Sequence, residues 1–293
     1  MLSIGILLGL VLTVTPAKPE VKLGEAVELK VTVTNDGKAP ENVPALVLDK
    51  RSVTLQVGEG GKQFVVQRKL DAAPATKALA AGESMSETLA WTPVRAGSYP
   101  IEANFAEKTS GKTQVTVKPA AGGETELGLK METSKGDMTL RFFPEAAPNH
   151  CAWFAERVRT GFYDGIGFHR VITGFMAQGG DPLWNDPMKK GTGGCGYTVP
   201  AEFSRDPKFT HSFGRLSTAR TNLPDTGGSQ FFLCFEKASF LDGQYTVLGE
   251  VTDDTKDVLK KIAEIGAERD PLPPKEKVVM KKVTLVPLKS AGS

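Results

Sequence analysis

Near residue 120 the chain changes character, and that break constrains the fold more than any other feature. Of the 15 phenylalanines only Phe64 and Phe105 precede it, while all 3 cysteines and all 3 histidines follow it. Between lies Pro119-Ala-Ala-Gly-Gly-Glu124, a small-residue stretch that reads as a flexible linker. A length of 293 residues suits two domains better than one. We expect a first domain over 1–118, a linker over 119–126 and a second domain over 127–288.

The first half reads as all-β. Val27-Glu-Leu-Lys-Val-Thr-Val33 alternates apolar and polar residues with period two and stops at the turn signal Asn35-Asp36-Gly37. Further short runs follow at Ala45–Leu48, Ser52–Val57, Gln63–Leu70, Glu87–Trp91, Tyr99–Phe105 and Thr113–Val117, a spacing that predicts a β-sandwich. Leu89-Ala-Trp-Thr-Pro93 and Ala96-Gly-Ser-Tyr-Pro-Ile101 together resemble bacterial immunoglobulin-like modules, with Trp91 and Tyr99 as core anchors. Nothing in this half carries a catalytic pattern.

The opening run Met1 to Leu12 is apolar and uncharged, too short to span a bilayer but long enough for the hydrophobic part of a secretory signal. Small residues at Thr15-Pro16-Ala17 suit cleavage, yet no Lys or Arg precedes the run. Two readings stand: export to the periplasm or beyond, with the cytoplasm as the alternative, or a first strand over Val11–Thr15. A formal net charge of +2 supplies no basic field for nucleic acid. Cys151, Cys195 and Cys234 form no disulfide framework, and the histidines show no metal-ligand spacing, so free thiols, no metal and no cofactor are expected.

The second half mixes element types. Leu127–Thr133 and Asp137–Phe143 read as a hairpin joined at Lys135-Gly136. Pro148 opens a helix to about Arg159, ended by Gly161, with Trp153 and Phe154 on its apolar side. A second helix falls near Thr255–Ile265, where Val258, Leu259, Ile262 and Ile265 share a face, and Val278–Val286 reads as a closing strand. Many strands with two helices predict a barrel capped at its ends.

Four segments carry chemistry: Phe168-His-Arg-Val-Ile-Thr-Gly-Phe-Met-Ala-Gln-Gly-Gly-Asp181, Gly191-Thr-Gly-Gly194, Gly228-Ser-Gln-Phe-Phe-Leu233 and Phe240-Leu-Asp-Gly243. In this order and spacing, over about residues 127–288, they resemble the cyclophilin family of peptidyl-prolyl cis/trans isomerases. The resemblance implies a closed eight-stranded antiparallel barrel capped by two helices, so the whole chain is expected to be mainly β. It also implies an enzyme without cofactor, acting as a monomer on proline-containing peptides or unfolded protein clients to assist folding. The alternative is a proline-motif binding or scaffold protein whose isomerase activity is incidental.

Rotation about an X-Pro bond faces a barrier of roughly 18–20 kcal/mol because amide resonance is lost, and takes tens to hundreds of seconds unaided. No bond is made or broken, so no nucleophile or acid/base pair is needed. A fixed cation that donates a hydrogen bond to the prolyl nitrogen favours the twisted amide over the planar one. Arginine suits this because it stays charged and presents a rigid fork of donors. The resemblance assigns that role to Arg170. Phe175, Met176, Phe232 and Leu241 match the walls of the proline pocket, and Gln178 matches a side chain that bonds substrate backbone. Thr221 lies where backbone groups pair with the peptide. Gly191 to Gly194 matches the rim of an adjacent subsite, with Ala219 and Arg220 opposite. Gln230 matches a further site position or serves as a structural hydrogen-bonder; His169 reads as structural.

Phe240 stands where many eukaryotic members have tryptophan, Tyr245 where many have histidine, and Leu183–Lys190 looks lengthened, with Trp184 packing that loop in preference to extending the groove. Phe240 keeps an apolar wall but offers no indole N–H. Cyclosporin is therefore expected to bind weakly; an inhibition constant in the nanomolar range would contradict this.

Overall fold

The alternation at Val27–Val33 becomes a strand, Val27–Asn35, that buries its valines and leucine and turns most of its polar side chains outward. It is the middle of a three-stranded antiparallel sheet, between Leu10–Pro16 and Ser84–Trp91. The computed structural model describes residues 9–47, 52–58, 63–64, 67–68, 75–105, 108–270 and 272–289. A second sheet runs in the order Glu20–Lys22, Thr113–Lys118, Gly97–Phe105, Val53–Val57, Gln63–Phe64. Leu10–Pro16 packs onto Gly97–Phe105 and Thr113–Lys118 of that sheet, and Leu10, Leu12 and Val14 are buried while Val11 and Thr13 are exposed. Trp91 and Tyr99 meet edge to face at 4.9 Å, and the Tyr99 hydroxyl donates to the Arg95 carbonyl at 2.6 Å.

The run expected at Ala45–Leu48 differs. The strand is Glu41–Pro44, paired with Thr76–Leu79, and residues 45–47 leave it. Ser52 explains the departure: its hydroxyl donates to the Ala45 carbonyl at 2.6 Å and accepts from the Val47 amide at 3.3 Å, pinning a turn. Within the run expected over Gln63–Leu70, Gln63–Phe64 and Gln67–Arg68 are strands; its other residues, and Leu48, lie outside the described residues.

The second half forms one eight-stranded antiparallel sheet. Its strands are β1 (Glu126–Thr133), β2 (Gly136–Phe142), β3 (Arg170–Ile172), β4 (Met176–Gly179), β5 (Arg215–Thr218), β6 (Phe231–Cys234), β7 (Val247–Val251) and β8 (Met280–Leu288). The spatial order is β3-β4-β6-β5-β7-β2-β1-β8. The β1–β2 hairpin turns at Ser134-Lys135, one residue earlier than expected, because Thr133 pairs with Gly136. No ladder joins the outer strands β3 and β8. The chain just before β3 reaches β8 instead, by a bridge between Gly167 and Val279 and a bond from the Met280 amide to the Ile166 carbonyl at 2.9 Å.

Helix α1 (Pro148–Arg159) starts on proline, whose missing N–H would be unpaired there anyway. It has no side-chain cap of its own. Glu202, from a distant loop, accepts the Asn149 and His150 amides at 3.1 and 2.9 Å and places a negative charge at the helix N-terminus. Trp153 and Phe154 are buried, and Phe154 stacks on Tyr163 at 4.6 Å and meets Phe231 edge to face at 5.4 Å. Helix α2 (Lys256–Glu264) buries Leu259 and Ile262, with Val258 and Ile265 partly covered. No helix among the described residues is long and apolar enough to cross a membrane.

The two halves meet through several bonds. The Leu127 amide donates to the Val94 carbonyl at 2.8 Å, the Ala96 amide to the Thr125 carbonyl at 2.7 Å, and the Thr92 hydroxyl to the buried Glu156 carboxylate. Arg95 pairs with Glu126 and Glu145 at 3.1 and 3.3 Å. Inside the linker stretch the Ala120 amide bonds the Glu124 carbonyl at 2.9 Å, closing a turn.

Gly249 on β7 shows how tightly the sheet is drawn. A Cβ there would lie 2.3 Å from the Arg141 carbonyl oxygen, a backbone atom with nowhere to go. Gly249→Ala should therefore cost about 1–3 kcal/mol, read as a lower urea midpoint. An unchanged midpoint would show that β2 and β7 part freely.

Candidate functional site

Directly opposed residues of antiparallel strands project to the same face. Arg170 opposes Gln178, Gln178 opposes Phe232 and Phe232 opposes Ser217, so four adjacent strands carry one row of side chains. Beneath the row lies an apolar cluster distinct from the main core: Ile172, Met176, Phe232, Cys234, Ala238 and Leu241, with Phe175, Ala219 and Tyr245 against its edge. Met176 is 1% exposed, whereas Phe240 is 65% exposed and leans on Phe175 with ring centres 5.6 Å apart.

Arg170 is half-buried and held on two sides. One terminal nitrogen bonds Gln178 Oε1 at 3.3 Å and the other pairs with Asp270 at 2.9 Å. Its guanidinium carbon lies 5.9 Å from the Phe175 ring centre. From Gln178 the bonds continue outward. Its Nε2 donates to Gln230 Oε1 at 2.8 Å, and Gln230 Nε2 donates to the carbonyls of Gly191 and Gly193 at 3.0 and 2.8 Å. Gln230 is thus a structural hydrogen-bonder as well as a site-lining residue.

Beyond this chain opens a cavity of about 770 Å³, lined by Gln178, Gly191–Gly194, Tyr197, Ala219, Arg220, Thr221 and Gln230 among others. Its glycine rim is fixed from below by Asp181, fully buried, which accepts the amides of Gly191 and, at 2.7 Å, Leu183. Gly191 has φ +88°, open to glycine at little cost, and a Cβ on Gly193 would fall 2.1 Å from Asp181 Oδ1. Opposite, Arg220 turns toward Tyr245, 4.5 Å from its ring centre, and donates to the Gln244 carbonyl at 2.8 and 2.9 Å. Thr221 shares a hydrogen bond of 2.8 Å with Thr226. The named residues therefore fall into two adjoining places. Met176, Phe232 and Leu241 belong to the apolar cluster, with Phe175 and Tyr245 at its edge and Phe240 against Phe175. Gly191, Ala219, Arg220, Thr221 and Gln230 bound the cavity, and Gln178 stands between. Trp184 packs over Gly167 and lines neither place.

Sequence reasoning missed Asp270, which no motif flagged, and the triad beneath Phe232. His211 is fully buried and shares hydrogen bonds with Asp242 at 2.8 Å and Ser217 at 2.9 Å. Its ring stacks on Phe232 at 5.9 Å. Asp242 was visible within Phe240-Leu-Asp-Gly243, but its partner was not. Serine, histidine and aspartate in such an order suggest nucleophilic catalysis, yet Ser217 is 0% exposed and no substrate reaches it. The triad fixes the back of the Phe232 ring instead. Burial pushes the His211 pKa below its usual value, against the opposing pull of Asp242, and pushes Cys234 up to about 12, so that thiol is inert. His169 is likewise lowered, by burial.

A model of the family described as cyclophilin type peptidyl-prolyl cis-trans isomerase/CLD matches residues 128–285. A Brucella abortus (strain 2308) protein named "Probable peptidyl-prolyl cis-trans isomerase" is 41% identical over 166 residues, 53% of this chain and 83% of its own. The "Peptidyl-prolyl cis-trans isomerase" of Synechococcus elongatus is 48% identical over 124 residues, 42% of this chain and 79% of its own. "Peptidyl-prolyl cis-trans isomerase B" of Bacillus subtilis is 48% identical over 113 residues, 39% and 74%. A Cryptosporidium parvum cyclophilin solved in the presence of the dipeptide Ala-Pro is 27% identical, covering 54% of this chain and 98% of its own, with a TM-score of 0.48.

A histidine kept neutral by burial binds fewer protons folded than unfolded. Stability is then full above the unfolded value near 6.5 and declines as pH falls from there toward the folded value. The urea midpoint should drop between pH 7.5 and 5.5, and His211→Gln should lessen that slope, leaving the part that His169 contributes. A midpoint level across this window in the wild type would contradict the assignment.

Proposed function

The chain belongs to the cyclophilin-type peptidyl-prolyl cis-trans isomerases, and we propose that it turns X-Pro bonds by holding the proline ring over the Met176–Phe232–Leu241 cluster beneath Arg170. The observation that carries this is the row Arg170–Gln178–Phe232, set by strand register directly over that separate apolar cluster. A proline ring covering the cluster loses water, and the electrostatic pull of the guanidinium on the prolyl nitrogen strengthens as water leaves. As the amide twists, that nitrogen regains a lone pair able to accept from Arg170, a bond absent in the planar state. Asp270 and Gln178 keep the guanidinium from swinging away, so little reorganisation is needed during the turn.

Arg170 does not carry the whole effect. One charge-assisted hydrogen bond is worth about 1.5–3 kcal/mol, whereas a 10⁵-fold acceleration needs roughly 7 kcal/mol. Pocket desolvation and anchoring of the flanking peptide backbone supply the rest, the latter through Gln178 and the cavity between Gly191 and Arg220. The reaction moves no proton, so buried His211 and Cys234 have no acid–base part in it. Clients are proline-containing peptides and unfolded chains, and the N-terminal unit is read as an immunoglobulin-like module ending near residue 118.

Isomerisation of a short X-Pro peptide followed by NMR exchange tests this. The wild type should accelerate exchange, and Arg170→Ala should slow it by about tenfold or more, the effect of losing one such donor. A correctly folded wild type that leaves exchange at the uncatalysed rate would overturn the reading.

A further inference from the structure

The wall of the 770 Å³ cavity is not built by the isomerase sheet alone. Tyr197 and Thr198 line it, and both pair in an antiparallel ladder with Gln67–Arg68 of the N-terminal unit. Before them runs the rim, where Gly191, Gly193, Gly194 and Gly196 leave the backbone with more freedom than any other residue type would. A wall of that composition keeps one shape only if it is tied down. One end is tied by Asp181 and Gln230 to Gly191 and Gly193. The other is tied by the Gln67–Arg68 ladder and, just beyond it, by the Val199 amide on the Gly227 carbonyl at 2.8 Å.

Side chains reinforce the ladder. The Tyr197 ring meets Trp153 of α1 edge to face at 5.8 Å, and Arg157 lies over the same Trp153 ring at 4.3 Å. On that helix the buried Glu156 accepts the Thr92 hydroxyl of the N-terminal unit and pairs with Arg159 at 2.6 Å. Tyr197 therefore borders both the peptide cavity and the cleft between the two units, whose lining also includes Trp153 and Met85–Ala90. A shift of one unit against the other moves this residue.

We propose that the N-terminal unit is a working part of the peptide site: its Gln67–Arg68 strand fixes the Tyr197–Thr198 wall and so sets how well the residues flanking a target proline are held. The proposal rests on the isomerase reading of the neighbouring pocket and concerns a different step. Proline turning depends on Arg170 and the apolar cluster, and recognition of a longer chain depends on the joined wall.

The full chain carrying Gln67→Pro and Arg68→Pro removes the backbone donor with which this strand faces Tyr197–Thr198. Two substrates separate the effects: acetyl-proline N-methylamide, which fills only the proline pocket, and the tetrapeptide Ala-Ala-Pro-Phe, which extends into the cavity. We expect kcat/KM on the tetrapeptide to fall by about fivefold or more, through KM, with turnover of the minimal substrate unchanged. Amide exchange at Thr198 should quicken in the same variant. If that variant does not fold, Gln67→Gly with Arg68→Gly loosens the strand while keeping its donors, and the same split is expected. Equal losses on both substrates, or none on the tetrapeptide, would overturn the proposal. A folded wild type that accelerates neither would overturn the isomerase reading beneath it.

Discussion

Strand register holds this site together. A slip of one residue between β3 and β4 would send the Arg170 side chain to the opposite face from Gln178, and the same slip at β6 would remove Phe232 from the apolar cluster. The pairing is protected by what it buries: Val171, Ala177 and Leu233 face the main core while Arg170, Gln178 and Phe232 face the other way. The same alternation that satisfies the core thus aims the functional row. Outward of it, Gln178 passes the alignment on to Gln230 and through it to the carbonyls of Gly191 and Gly193, while Asp181 also holds the Gly191 amide.

Much of this was legible because it is local. Arg170 to Gln178 lies in a single hairpin, so the spacing of Phe168–Asp181 already contains the register, and the pocket residues follow within a few positions. Helix α1 matched its expected span because proline opens it and Gly161, at φ +71°, closes it. The strand at Leu10–Pro16 shows the limit. An uncharged apolar run suits a signal segment and a strand alike, and the alternation of Leu10, Leu12 and Val14 reads as strand only once its partner Val27–Asn35 is known. Glu41–Pro44 was missed for a related reason, since its strand character comes from pairing with Thr76–Leu79 and not from its own composition.

The unread parts of the site are those whose partners are distant. Asp270 reaches Arg170 across 100 positions of sequence, from a segment with no motif. His211, Asp242 and Ser217 are individually ordinary, and only their convergence behind Phe232 gives them a role. That role is mechanical. A reaction that only twists an amide needs a firm aromatic wall more than an acid or base, and a neutral imidazole hydrogen-bonded at both nitrogens makes a rigid backing plate.

The cap on α1 bears on how the chain comes off the ribosome. The carboxylate that completes the first turn of this helix belongs to Glu202, 53 positions beyond the Asn149 amide it receives. During vectorial synthesis the helix emerges long before its cap and must wait, frayed at its first turn, while β3, β4 and the glycine rim are still being made. The Gln67–Arg68 strand waits longer, for Tyr197 and Thr198. Both closures come due within a few residues of each other, so the helix cap and the partner of the Gln67–Arg68 strand leave the ribosome together. The order of translation therefore places the capping of α1 and the closing of the Tyr197–Thr198 ladder side by side, after the contacts of residues 92–96 with residues 125–156 have become available.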